Sequence, residues 1–81
     1  MISVTLNGTL RNFSGGVVTV DVEAATVRQL IAQLSQRFPE LGPHLETGAA
    51  FAINGQIYQD ALFQPIPPGA EVHILPQIAG G

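Results

Sequence analysis

One stretch of this chain, Thr26 to Phe38, constrains the fold more than any other. Its apolar residues Val27, Leu30, Ile31, Leu34 and Phe38 recur three, four, three and four positions apart. That spacing lines one face of an α-helix with apolar side chains. Thr26 stands at the N-cap with Gln29 three residues on, the pattern of a capping box. Pro39 ends the helix by disfavouring helical angles at Phe38. A helix with one apolar stripe has to bury it against something else, and the flanking segments offer strands.

Ahead of the helix, "ISVTLN" alternates Ile2, Val4 and Leu6 with Ser3, Thr5 and Asn7, the period of a half-buried strand. "GTLRNFSGG" interrupts it with glycines, and Leu10 and Phe13 are spaced like one helical turn. "VVTVDVE" alternates again, with Val18, Val20 and Val22 against Thr19, Asp21 and Glu23. After the helix, "PELGPHLE" reads as a turn and a short helical piece, Leu41 and Leu45 four apart. "FAINGQIY" sets Asn54-Gly55 between two β-rich runs, a hairpin signal. "QPIPPG" is a turn, and "AEVHIL" a last strand with Val72 and Ile74 inward and His73 and Leu75 outward. The order strand, strand, helix, strand, short strand, strand predicts an α+β domain: one main helix across a small mixed sheet.

Composition excludes several function classes. The 81 residues hold no cysteine, so no thiol attacks, ligates metal or carries a persulfide. Only 11% of residues are charged, against about 25% in typical soluble domains. The net charge is −3 and the basic residues are Arg11, Arg28 and Arg37, which gives a nucleic-acid role no electrostatic footing. The N-terminal "MISVTLNG" has neither the basic start nor the apolar run of a signal peptide, and no stretch approaches a membrane span. A soluble, cytoplasmic protein with no membrane partner is expected. His44 and His73 lie far apart without clustered carboxylates, so no metal site is expected. His44 reads as a surface residue of the short helical piece, Asp21 as a solvated strand residue and Asp60 as a turn residue. Neither Ser14 nor Ser35 sits in a nucleophile motif, and "SGG" at Ser14 to Gly16 lacks the lysine of a phosphate cradle.

Several segments together resemble the MoaD/ThiS-like sulfur carriers, a ubiquitin-like β-grasp family that includes the small subunit of molybdopterin synthase. "GTLRNFSGG" resembles that subunit's leucine-arginine segment, "TVRQLIAQLSQRFPEL" its helix and exit, "FAINGQ" its hairpin strand. The most specific piece is "GAEVHILPQIAGG", the last strand running into Gly-Gly. Two departures stand out. Ala70 replaces an acidic residue before the last strand, and Gln77 replaces a second proline. "ILPQIAGG" is nearer to carriers that serve cysteine or thiazole synthesis.

The resemblance divides the chain into a β-grasp domain, residues 1–75, and a flexible Gly-Gly tail, residues 76–81. It implies a sulfur carrier with no catalytic machinery of its own, most specifically the small subunit of molybdopterin synthase. A ubiquitin-activating-like adenylyltransferase would adenylate the Gly81 carboxylate with ATP, and a sulfur donor would displace AMP to leave a thiocarboxylate. The sulfur would pass to a molybdopterin synthase large subunit or another sulfur-accepting synthase. The carrier itself would bind no cofactor. Glycine lacks a Cβ, so Gly80 and Gly81 suit a narrow channel. Pro76 cannot donate a ladder hydrogen bond and would turn the tail off the sheet. Leu75, with Ile78 and His73 beside it, is the expected partner-binding set. A carrier for cysteine or thiamine-thiazole synthesis, a ubiquitin-like protein modifier and a non-covalent interaction module are the alternatives. The chain contains no lysine, an absence expected to limit acylation of its own surface by an activated C-terminus, since arginine stays protonated.

Overall fold

Thr26 starts the main helix as its sequence predicts. In the computed structural model, which describes residues 1–46, 49–59 and 61–76, the Thr26 hydroxyl accepts the Gln29 N–H at 3.2 Å. Two further N–H groups of the first turn, which have no partner inside the helix, are met by a distant loop. Val27 donates to the Gln64 carbonyl at 3.1 Å and Arg28 to the Leu62 carbonyl at 2.8 Å. One detail of the expected capping box differs. The Gln29 side chain accepts the N–H of Ala25, one residue upstream of Thr26, at 2.8 Å. The chain entering the helix is held extended by a bridge between Thr26 and Pro65, and this brings the Ala25 N–H to Gln29.

The elements in chain order are β1 (Ile2–Leu6), a 3-10 turn (Gly8–Phe13), β2 (Thr19–Val22), α1 (Val27–Arg37), α2 (Gly42–Glu46), β3 (Ala50–Ile53), β4 (Gln56–Tyr58) and β5 (Glu71–Leu75). The strands form one sheet in the order β2-β1-β5-β3-β4. β1 and β5 pair in parallel at its centre, and the other pairs are antiparallel. This is the expected small mixed sheet of an α+β domain.

Alternation decides which face is covered. Ile2, Val4 and Leu6 of β1, Phe51 and Ile53 of β3, and Val72 and Ile74 of β5 are buried on one face with Val27, Leu30, Ile31 and Leu34 of α1. Leu10, Leu41, Leu45 and Ile66 close the ends of this core. Each such side chain contributes about 1.5–3 kcal/mol on leaving water. Phe38, read from sequence as core, is half-buried at the helix exit, where its N–H bonds to Leu34. Val18, expected on the inner face with Val20 and Val22, precedes β2 and remains 44% exposed. It lies at the margin of the edge strand, where a single neighbouring strand gives less cover.

Asn54 and Gly55 make the predicted hairpin turn with φ of 49° and 87°, the paired left-handed conformations of a type I′ turn. Asn54 also holds the hairpin to β5. Its N–H donates to the Glu71 carbonyl and its side-chain oxygen accepts the Glu71 N–H, both at 2.9 Å. No helix among the described residues is long and apolar enough to cross a membrane.

The cap and the core predict different penalties. Thr26→Ala is expected to cost about 1 kcal/mol, because one first-turn donor loses its partner while the loop still holds two. Leu34→Ala is expected to cost roughly 2–5 kcal/mol. Urea unfolding of the two variants checks this, and a Thr26→Ala protein as weak as Leu34→Ala would show that the loop cannot hold the helix start.

Candidate functional site

The last strand carries two of the expected partner-binding residues, His73 and Leu75, and its register shows what surrounds them. Val72 and Ile74 are fully buried, whereas His73 and Leu75 are half-buried on the outer face of the sheet. His73 lies between Thr5 of β1 and Ala52 of β3, and Leu75 lies beside Ala50. The alanines keep this face low. Beyond Ala52, β4 places Ile57, which is 62% exposed. Ile57, Ala52, His73, Thr5 and Thr19 therefore make one row across the outer face, with Leu75 next to it.

Ile57 is the residue that sequence reading missed. Its signal was present: pairing across the two-residue turn puts Ile57 opposite Ala52 and Tyr58 opposite the buried Phe51. The alternation along β3 and β4 thus sends an isoleucine outward, where a single exposed apolar residue would otherwise attract no notice.

Strand β5 ends at Leu75, and Pro76 follows half-buried at the root of the C-terminal segment. Its ring packs against Gly8, where a Cβ would stand 3.3 Å from Pro76 Cγ. Gly8 has φ of +63°, a conformation few other residues tolerate. The preceding Asn7 N–H donates to the Ile74 carbonyl at 3.0 Å, which ties the turn to β5 just before Pro76. Arg11 leans back over the same turn, its Nε donating to the Gly8 carbonyl at 3.4 Å. From the sequence Arg11 counts as a charge and as part of the leucine-arginine segment, with no contact to the root of the tail expected. Three of the predicted positions, Ile78, Gly80 and Gly81, lie outside the described residues, as does Asp60.

The remaining candidates are structural. His44 is exposed on α2 and stacks on Phe13 with ring centroids 3.9 Å apart, joining α2 to the 3-10 turn. The buried Ser14 hydroxyl hydrogen-bonds to the carbonyl oxygens of Arg11 and Val17. Among the described residues no three His, Asp or Glu stand together as a metal cluster. A groove of about 570 Å³ runs along α1 between Arg28, Ile31, Ala32, Glu46 and Leu62, and among the described residues that line it no nucleophile stands beside a base.

The ThiS family profile matches residues 4–81. This chain belongs to the ThiS family. It is a β-grasp sulfur carrier of the MoaD/ThiS superfamily, and such proteins have no catalytic activity of their own. Solved structures from bacteria and archaea share its fold. The structure of an Amycolatopsis orientalis BexX/CysO complex is similar at 23% identity, with a TM-score of 0.80 and full coverage of both chains. SAMP1 from Haloferax volcanii is similar at 26% identity and a TM-score of 0.72, over 99% of this chain and 98% of that one. A putative molybdopterin converting factor, subunit 1, from Pyrococcus furiosus is similar at 19% identity and a TM-score of 0.73, over 95% and 97%. No curated protein matches the chain.

The Gly8 contact predicts a local weakness. Gly8→Ala adds a Cβ to a left-handed residue and presses it towards Pro76, at an expected cost of roughly 1–2 kcal/mol. Gly8→Val should cost more, because β-branching narrows the allowed angles further. Thermal denaturation reads both. An unchanged midpoint in Gly8→Val would show that this turn has another conformation open to it.

Proposed function

We propose that this chain carries sulfur on the carboxylate of Gly81. The observation that supports the reading most is the match of the ThiS profile through residue 81, on a chain whose central strand leads directly to that end. A carboxylate is ionised at neutral pH and is a poor electrophile, so it needs activation. A partner adenylating enzyme joins it to the AMP moiety of ATP and releases pyrophosphate. A sulfur nucleophile then attacks the acyl carbon, the carbon–oxygen bond to AMP breaks, and a thiocarboxylate remains. ATP belongs to the partner, and the carrier binds no cofactor. The reaction is one of the cytoplasm, where the chain meets its activating and accepting enzymes as a soluble protein.

The body's part in this scheme is docking. Leu75 lies on the low outer face next to the root of the tail, with His73 and Ile57 in the row behind it. A partner that covers them holds Pro76 at the mouth of its own channel, with Ile78 as the next apolar contact and Gly80 and Gly81 in its narrow end. Binding energy at such interfaces comes from a few buried apolar anchors. The low fraction of charged residues, 11%, suits a surface covered in its working state.

The finer reading is the small subunit of molybdopterin synthase, with the large subunit as sulfur acceptor. The Phe38-Pro39-Glu40-Leu41 exit of α1 and the similarity to a putative molybdopterin converting factor support it. Gln77 in place of a second proline, and the similarity to CysO, favour a carrier for cysteine or thiazole synthesis instead. Similarity to SAMP1, a small archaeal modifier protein, keeps conjugation to target lysines as a third use of the same activated end. Loaded carrier offered to each purified acceptor separates the three by the product formed.

Incubation with the cognate adenylating enzyme, ATP and a sulfide source is expected to replace one C-terminal oxygen by sulfur, read by intact mass. A chain that stops at the adenylate with a proven donor present would refute the carrier reading. Deleting Gly81 should abolish the product, whereas a non-covalent module would keep its partner. Separately, Leu75→Glu and Ile57→Glu are each expected to weaken binding to the adenylating enzyme by about tenfold or more, the loss of roughly one apolar anchor. Their melting temperatures should move little. A large drop for Leu75→Glu alone would show that Leu75 belongs to the fold's support and not to the partner.

A further inference from the structure

The turn that receives Pro76 also carries a cation. Arg11 bonds to the Gly8 carbonyl, and Gly8 touches the Pro76 ring, so the guanidinium stands within roughly 10 Å of that ring by ordinary bond dimensions. Residues 77–81 span at most about 18 Å when fully extended. Arg11 is thus closer to Pro76 than the length of chain that ends at Gly81.

The amine at the N-terminus is not. Strands β1 and β5 run parallel with Ser3 beside Glu71, and the Gly69 N–H donates to the Met1 carbonyl at 3.2 Å. Met1 is therefore level with Gly69, at the opposite end of the strands from Pro76. At about 3.3 Å per residue the two levels are roughly 23 Å apart, beyond the span of the C-terminal segment. The other two basic side chains are arginines engaged elsewhere. Arg37 donates to the Asp21 carbonyl at 3.1 Å and Arg28 lies over the Phe63 ring.

We propose that Arg11 is a specificity-determining residue of the carrier: it places a positive charge at the root of the tail that cannot accept the acyl group the tail bears. The inference rests on the carrier reading above. In the step it prevents, a neutral amine attacks the acyl carbon of Gly81, the bond to AMP breaks, AMP leaves, and the amine loses a proton to solvent as an amide forms. Lysine performs this step from its minor unprotonated fraction. The guanidinium does not, because it stays protonated and its lone pairs are delocalised. A lysine at position 11 would meet the activated end at an effective concentration in the millimolar range, typical of short connections. It would compete with the intended sulfur nucleophile. The substitution of arginine by lysine, ordinarily conservative, is here the damaging one.

The test uses the full chain with Gly81 as a mercaptoethanesulfonate thioester, an activated acyl group that needs no partner enzyme. Wild type, Arg11→Lys, Arg11→Gln and Thr9→Lys are held dilute in mildly alkaline buffer and followed by intact mass and peptide mapping. Thr9 is exposed on the same turn, so it supplies a second amine near the root. Arg11→Lys and Thr9→Lys are expected to form at least tenfold more internal amide than wild type or Arg11→Gln, at a rate independent of protein concentration. Hydrolysis without internal amide in both lysine variants, or cyclisation of wild type through Met1, would overturn the proposal. Failure of the carrier reading would appear elsewhere, as a wild-type chain that its adenylating enzyme and ATP leave unmodified.

Discussion

The parallel pairing of β1 with β5 governs most of what this molecule can do. Parallel neighbours cannot be joined by a tight turn, so nearly the whole chain between Leu6 and Glu71 acts as their connection. That connection carries α1, which covers one face of the sheet and leaves the other open. The same pairing sends both strands in one direction. The N-terminus is thereby fixed at one end of the sheet and the C-terminal segment at the other, with β5 as a rigid stalk held on both sides. Loop-closure entropy rises only slowly with length, so this distant pairing costs little more stability than a shorter one, although contacts so far apart in sequence slow folding.

Two local devices support the central pair. The loop that follows β4 is anchored by giving its carbonyls to the first turn of α1, which satisfies helix donors and delivers the chain to β5 in one arrangement. At the other end, Gly8 allows the turn after β1 to approach Pro76 as closely as a Cβ-less residue can. One device sets where β5 begins and the other where it stops, so the root of the tail is defined by packing and not by the tail itself.

Much of this was legible in the residues, and the division follows the range of the interactions. The α1 stripe from Val27 to Leu34, the Thr26 cap, the Asn54-Gly55 turn and the inward pair Val72 and Ile74 depend on neighbours within a few positions, and each appears as the sequence predicts. The parallel register depends on residues nearly seventy positions apart, and no local pattern encodes it. The contact of Gly8 with Pro76 could not be read without it, and the acceptor role of Gln29 towards Ala25 follows from another distant pairing, the bridge between Thr26 and Pro65. Ile57 lies between these cases. Its outward direction follows from the turn, but its place in a row with His73 needs β3 to lie beside β5. Val18 shows the converse error, an alternation that continues past the strand it marks.

If the outer face docks a partner as proposed, the length of chain beyond Pro76 sets how much that face has to contribute. A segment held in one conformation inside a partner's channel gives up backbone freedom worth about 1–2 kcal/mol per residue. Five residues forgo roughly 5–10 kcal/mol in this way, and two terminal glycines supply no side-chain contacts to offset it. The body has to provide the difference. On the proposed docking, Leu75 and Ile57, at about 1.5–3 kcal/mol each when covered, would together offset roughly 3–6 kcal/mol and leave the remainder to His73 and Ile78. Neither residue alone would offset the ordering of the segment, and on the proposed carrier role this would suit a protein that has to release one partner to meet the next.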